Sequence, residues 1–262
     1  MLDFDLFGAS DGRLLAYSTV IAENDSKKLP GVVFLGGFRS DMTGTKAVYL
    51  EAWARENGRA FLRFDYSGHG QSSGRFEDGC IADWTRDATD VIGALTDGPQ
   101  VLVGSSMGGW IALKLARDGH VPLAGLVTIA AAPDFTEDSM WAGFDAAQRT
   151  ALLRDGRIEI PTEYDDQPYV ITKKLIEDGR ENLVLRSALS IAAPTRMLHG
   201  TADADVDLAV ALRTVEHVAC PDLRLTLVKD ADHRFSTPDC LALIADAVEQ
   251  VSAPLSTTLP VG

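Results

Sequence analysis

A chain of 262 residues, 46% hydrophobic and 24% charged, is long enough to bury a sizeable core, and α/β proteins of this size often form a single domain. Its formal net charge of −14 at pH 7 argues against a surface for nucleic acid or an anionic membrane, because polyanions are repelled over most of it. Cys80, Cys220 and Cys240 are odd in number and dispersed, which supports neither a disulfide framework nor a zinc site.

The chain begins Met1-Leu-Asp-Phe-Asp-Leu-Phe7, acidic rather than basic, and no apolar run follows that could serve as a signal peptide or membrane span. That opening predicts a cytoplasmic protein. Leu2 to Phe7 and Leu14 to Ile21 flank Ser10-Asp-Gly12, the pattern of two antiparallel strands and a turn. After a polar loop from Glu23 to Pro30, Val32-Val-Phe-Leu35 reads as a buried strand ending at Gly36-Gly37, with helical spacing from Thr45 to Glu56. The unit recurs as Arg59 to Asp65 with Ile81 to Leu95, and as Val101 to Gly104 with Ser106 to Ala116. Leu123 to Ala130 adds a strand, and Thr195 to Leu198 with Val206 to His217, then Leu223 to Val228 with Pro238 to Val251, complete the series. Strands alternating with helices require crossover connections, hence a mostly parallel sheet of about eight strands.

Between Pro133 and Ala193 the rhythm breaks. The residues at about 134–193 carry helical patterns but no convincing buried strand, and predict a small helical cap inserted in one domain spanning 1–262. The Pro-containing end, 253–262, predicts a frayed tail.

Gly104-Ser-Ser-Met-Gly-Gly109 contains G-x-S-x-G between a buried strand and a helix. That context puts Ser106 on a tight turn, with glycines where neighbouring backbone leaves no room for side chains. A serine hydroxyl needs a base, and the base needs a group to orient it, in the order Ser, acid, His on this architecture. Of five histidines, His233 lies in the loop after the last predicted strand. Asp203 is the preferred acid because it follows Gly200 directly past a strand; Asp205 is its nearest rival, and Asp207 suits the first turn of the next helix. The Met107 N–H, one residue past the nucleophile, and the Phe38 N–H in the Gly36-Gly37 loop are the candidate oxyanion donors. Arg39, Arg63 and Asp65 lie near the same sheet edge, as substrate contacts or simply as ion pairs. Trp141, Phe144, Tyr164 and Tyr169 either line a substrate pocket or pack the cap onto the body. Arg39, Trp141 and Tyr169 are the candidate substrate-binding set.

Gly36-Gly-Phe-Arg-Ser-Asp-Met42, Arg63-Phe-Asp-Tyr-Ser-Gly-His-Gly70, Gly104-Ser-Ser-Met-Gly-Gly-Trp110 and Asp232-His-Arg234 together resemble one branch of the α/β-hydrolases, over about Phe7 to Asp246. Phe76-Glu-Asp-Gly79 and Pro133-Asp-Phe-Thr136 make the combination specific. The branch includes a mitochondrial acyl-glucuronide esterase and palmitoyl-protein thioesterase, with bacterial relatives. The resemblance implies the α/β-hydrolase fold, Ser106, Asp203 and His233 as the triad, and Phe38 and Met107 as oxyanion donors. Ala231 departs from the glycine usual before Asp-His-Arg.

The expected chemistry is hydrolysis of a small-molecule carboxylic ester or thioester through an acyl-enzyme, needing no metal or organic cofactor. A lactonase or cofactor-free perhydrolase would use the same triad, and a ligand receptor of this fold is the reading outside the enzymes.

Overall fold

A computed structural model describes residues 4–22, 29–162 and 168–252. The chain opens with β1 (Asp5–Gly8), β2 (Leu14–Val20) and β3 (Gly31–Leu35), then α1 (Thr45–Glu56), β4 (Phe61–Phe64) and α2 (Ile81–Leu95). The centre is β5 (Gln100–Ser105), α3 (Met107–Asp118) and β6 (Leu123–Ile129). An insertion follows with α4 (Ala146–Asp155), β7 (Arg157–Ile160), β8 (Tyr169–Thr172), α5 (Lys173–Glu181) and β9 (Leu189–Ser190). The chain then returns through β10 (Thr195–Gly200), α6 (Leu208–His217), β11 (Val218–Ala219), β12 (Leu223–Val228) and α7 (Pro238–Val251).

Eight strands form one sheet in the order β1-β2-β4-β3-β5-β6-β10-β12. The β1/β2 and β2/β4 pairs are antiparallel and the others parallel. The central strands are nearly all apolar because both faces are covered. Alternation along β3 then divides its side chains. Val33 and Leu35 join Trp84 of α2 and Ile111 of α3 in one core, while Val32 and Phe34 join Leu50 of α1 and Ile244 of α7 in the other. Each such fully buried side chain contributes roughly 1.5–3 kcal/mol.

Strand order fixes where ligands can reach the sheet. From β3 the chain steps to β4 on one side, then crosses back to place β5 on the other, so the loops leaving β3 and β5 diverge. A crevice at such a divergence is the usual ligand position in open α/β sheets.

The insertion differs from the helical cap expected in carrying more than helices. Thr136–Trp141 forms a π-helical turn, and β7 pairs antiparallel with β8 in a separate two-stranded ribbon. Each strand of the ribbon has only four residues, too few for alternation to stand out from a helical background. Tyr164 and the expected frayed tail, 253–262, lie outside the described residues. Among the described residues no helix is long and apolar enough to cross a membrane.

Candidate active site

Ser106 occupies the single residue between β5 and α3, at φ 53° and ψ −117°. A non-glycine residue there costs on the order of 1–3 kcal/mol and persists only where its surroundings fix it. Three hydrogen bonds do so. The Ser106 N–H donates to the Ile129 carbonyl (2.9 Å), and the Ser106 carbonyl accepts from the N–H of Gly109 (2.9 Å) and of Ala132 (3.1 Å). A Cβ on Gly104 would strike the Gly108 carbonyl, and one on Gly108 would strike the Leu35 carbonyl and lie 2.6 Å from that of Gly36. The two glycines thus let β3, β5 and the start of α3 approach at backbone contact.

His233 Nε2 stands 3.2 Å from Ser106 Oγ, and its Nδ1 lies 2.9 and 3.1 Å from the carboxylate oxygens of Asp203. Asp203 Oδ1 also accepts the backbone N–H groups of Asp205 and Val206, each at 2.9 Å. Burial opposes the Asp203 anion, but the His233 bond and the Val206 N–H outweigh it and hold its pKa below the ordinary carboxylate value. The loops carrying these side chains are tied together: Ala202 N–H donates to the Ala231 carbonyl (3.0 Å), and Asp230 N–H to Thr201 Oγ1 (2.9 Å). Ala231, the departure from glycine, therefore keeps the bond that joins the two loops. A hydroxyl, imidazole and carboxylate in such a series can pass a proton and stabilise the resulting imidazolium.

The Gly37-Phe38 loop packs against Ser106, since a Cβ on Gly37 would lie 3.5 Å from Ser106 Cβ. Among the described residues neither the Phe38 nor the Met107 N–H has a protein acceptor. Asp65 anchors this loop by accepting the Met42 N–H (2.6 Å) as well as that of Gln71 (2.8 Å).

Ser106 and His233 open into a cleft of about 770 Å³ whose walls include Phe38, Arg39, Met140 and Tyr169. A second recess of about 290 Å³, walled by Phe144, Ile160 and Ile171 among others, shares Met140 and Tyr169 with it. Trp141 requires correction as a substrate-binding residue. It lines neither cavity and packs under the guanidinium groups of Arg149 and Arg180, 5.3 and 4.6 Å from its ring centroid. Arg63 pairs with Glu51 at 2.5 Å rather than with Asp65. Arg39 instead stacks between the rings of Phe76 and Tyr169, 5.0 Å from each centroid. Asp203, Asp205 and His233 each offer a ligand atom within 4.8 Å of the others, the one grouping among the described residues with metal-like spacing. Both oxygens of Asp203 and Nδ1 of His233 are already spent on their hydrogen bonds to each other and to backbone.

The sequence model of the alpha/beta hydrolase family matches residues 32–250. This chain belongs to the alpha/beta hydrolases. The hydrolase is 32% identical over 234 residues to mouse "Palmitoyl-protein thioesterase ABHD10, mitochondrial", covering 89% of this chain and 78% of that protein. It is 31% identical to the human protein of that name over 231 residues, covering 88% and 75%. Among solved structures, a putative hydrolase from Agrobacterium vitis S4 superposes with a TM-score of 0.89 at 39% identity, covering 95% of this chain and 97% of that one. The mouse alpha/beta hydrolase domain-containing protein 10 superposes at 0.84 with 29% identity, covering 95% and 99%. The resemblance carried by the four motifs is thereby borne out. The expectation of a cytoplasmic protein is overturned: these curated relatives are mitochondrial by name, and an acidic opening was too slight a signal to set against them.

Two residues outside the predicted set also shape the hydrolase's site. His199, 1% exposed at the end of β10, brings Nε2 to 3.0 Å from the Val206 carbonyl and 3.8 Å from Asp203 Oδ2, bracing the loop that carries Asp203. Asp134, buried at φ 60°, accepts the N–H groups of Val184 (2.7 Å) and Leu185 (3.0 Å) and the Arg186 guanidinium (2.9 Å). It thus ties the start of the insertion to its end. The one sequence signal for it was its place directly after Pro133 in a motif; its partners are fifty residues away.

Proposed function

We propose that this hydrolase cleaves carboxylic esters and thioesters through an acyl-enzyme on Ser106, with His233 as general base and acid and Asp203 as the group that orients it. The observation that carries the reading is the unbroken series from Ser106 Oγ through both nitrogens of His233 to Asp203, with the serine on a strained elbow. The relatives named as thioesterases support ester and thioester bonds as the substrate class.

His233 Nε2 takes the hydroxyl proton as Ser106 Oγ attacks the acyl carbon, and the N–H groups of Phe38 and Met107 receive the developing oxyanion. Collapse expels the alcohol or thiol, which leaves with the proton held by His233. A water then gives its proton to His233 and attacks the acyl-enzyme, releasing the acid and restoring Ser106. Asp203 keeps the imidazole in the tautomer whose Nε2 is free to accept.

The test is kcat/KM across matched p-nitrophenyl esters and acyl-cysteine thioesters of increasing chain length, with Ser106→Ala as the blank. Turnover that vanishes in the variant, with a Ser106-linked acyl adduct seen by mass spectrometry in the wild type, supports the reading. Undiminished turnover by Ser106→Ala overturns it.

A further inference from the structure

Arg39 is the cleft residue whose chemistry the proposed reaction leaves unused. Its backbone sits at φ 55°, a conformation that costs an arginine free energy and that a functional constraint commonly sustains. Its side chain is half-buried, and the guanidinium carbon lies over the rings of both Phe76 and Tyr169, which restrict how the group can move. Among the described residues no carboxylate pairs with it and no carbonyl accepts from it.

Three of the four acids lining the cleft are committed elsewhere. Asp138 is held by Arg186 and Arg213, Asp203 by His233, and Asp207 caps α6 through the Ala209 N–H. A guanidinium that is stacked, partly desolvated and free of acceptors is pre-organised for a planar oxyanion, which it can bind with two parallel N–H···O bonds. It also lines the same cleft as Phe38 and Ser106, so one substrate molecule can reach both the guanidinium and the serine.

We propose that Arg39 is a specificity residue that selects esters or thioesters bearing an oxyanion, a carboxylate or phosphate, away from the scissile bond. This rests on the hydrolase reading above and adds the substrate class to it. Because the protein's net charge repels anions at long range, selection comes from the short-range fork.

The experiment compares wild type, Arg39→Met and Arg39→Lys on two pairs of substrates. In the first the acid lies on the acyl side: p-nitrophenyl half-esters of adipic, pimelic and suberic acids against their methyl diesters. In the second it lies on the leaving group: the butyrate ester of 4-hydroxybenzoic acid against that of methyl 4-hydroxybenzoate. The anionic-to-neutral ratio of kcat/KM cancels any general loss in a variant. It is expected to fall by about tenfold or more in Arg39→Met in one pair, the worth of a charge-assisted bidentate contact, with partial recovery in Arg39→Lys. The pair that responds tells which side of the bond carries the anion. A ratio unchanged in both pairs overturns the proposal.

Binding without turnover separates this outcome from failure of the hydrolase reading. Titration calorimetry on Ser106→Ala, with and without Arg39→Met, measures the same two pairs of esters. An anionic ester that binds about tenfold more weakly once Arg39 is lost supports the anion site even if no ester is turned over. Equal binding removes it even if Ser106 proves to be the nucleophile.

Discussion

His233 Nδ1 lies 2.9 Å from Asp203 Oδ2, while the other oxygen of Asp203 accepts backbone N–H groups from Asp205 and Val206. The backbone therefore aims the carboxylate, and the carboxylate aims the imidazole. Asp203→Asn keeps the shape but presents a donor where Nδ1–H needs an acceptor, so kcat is expected to fall about 10³- to 10⁴-fold, as for this constellation on another fold. Asp205 meets Asp203 through its own backbone N–H, which Asp205→Asn retains, so that variant is expected to lose about fivefold or less. Steady-state kinetics on both decides the matter, and the reverse ranking would move the acid to Asp205.

Gly108 tests the elbow. A Cβ there meets backbone, the carbonyls of Leu35 and Gly36, which cannot swing aside as a flexible side chain would. Gly108→Ala is expected to push the start of α3 away from the β3 loop and to separate the Met107 and Phe38 N–H groups. Activity should fall about a hundredfold or more, since loss of a single oxyanion donor costs roughly that much. Gly143→Ala serves as the control, because its Cβ would meet nothing within 4 Å. Equal activity in the two would show that close approach at Gly108 is not needed.

The parts of this molecule that local pattern could reach are those where one physical cause dominates. Val32 to Leu35 must be apolar on both faces, so β3 was visible; Thr45 to Glu56, Ile81 to Leu95 and Pro238 to Val251 are predicted with the same bounds as α1, α2 and α7. The G-x-S-x-G context, the order serine, acid, histidine, and the loops after the last strands single out Ser106, Asp203 and His233, three side chains that the structure brings into hydrogen-bond contact. What stayed hidden depends on partners far along the chain. Nothing local separates Trp141, spent on Arg149 and Arg180, from Tyr169, which faces the cleft. Nor does Asp134 announce that its oxygens meet Val184 and Leu185.

Asp134 yields a prediction about the insertion as a unit. Desolvation raises its pKa, yet its oxygens satisfy two buried N–H groups and one guanidinium. Asp134→Ala leaves those donors unpaired and is expected to cost about 2–4 kcal/mol, whereas Asn keeps an acceptor and tolerates the positive φ, and should cost about 1 kcal/mol. Urea unfolding gives the totals. Limited proteolysis locates the effect: cleavage between 134 and 185 should accelerate in the Ala variant before the sheet unfolds. Uniform acceleration would instead make Asp134 part of one global unit.

His69 predicts a pH dependence separable from catalysis. It is 3% exposed, ringed by Tyr66, Phe76 and Trp84, with Nδ1 3.2 Å from the Ser67 carbonyl and no partner for Nε2 among the described residues. Desolvation disfavours the imidazolium, and the Ser67 carbonyl only partly offsets it, so the pKa falls from 6.5 to about 4. Between those values the unfolded chain holds a proton that the folded chain does not, so stability must fall as pH drops from 6.5 toward 4. The contribution approaches about 3 kcal/mol at the acid end. His69→Phe keeps a ring among rings and removes the titration. The wild-type and variant stabilities, from urea midpoints at pH 7, 5.5 and 4.5, are therefore expected to converge or cross as the solution is acidified, with the variant favoured at low pH. A difference that stays constant across that range would mean the imidazole takes up its proton in the folded protein as readily as in the unfolded chain.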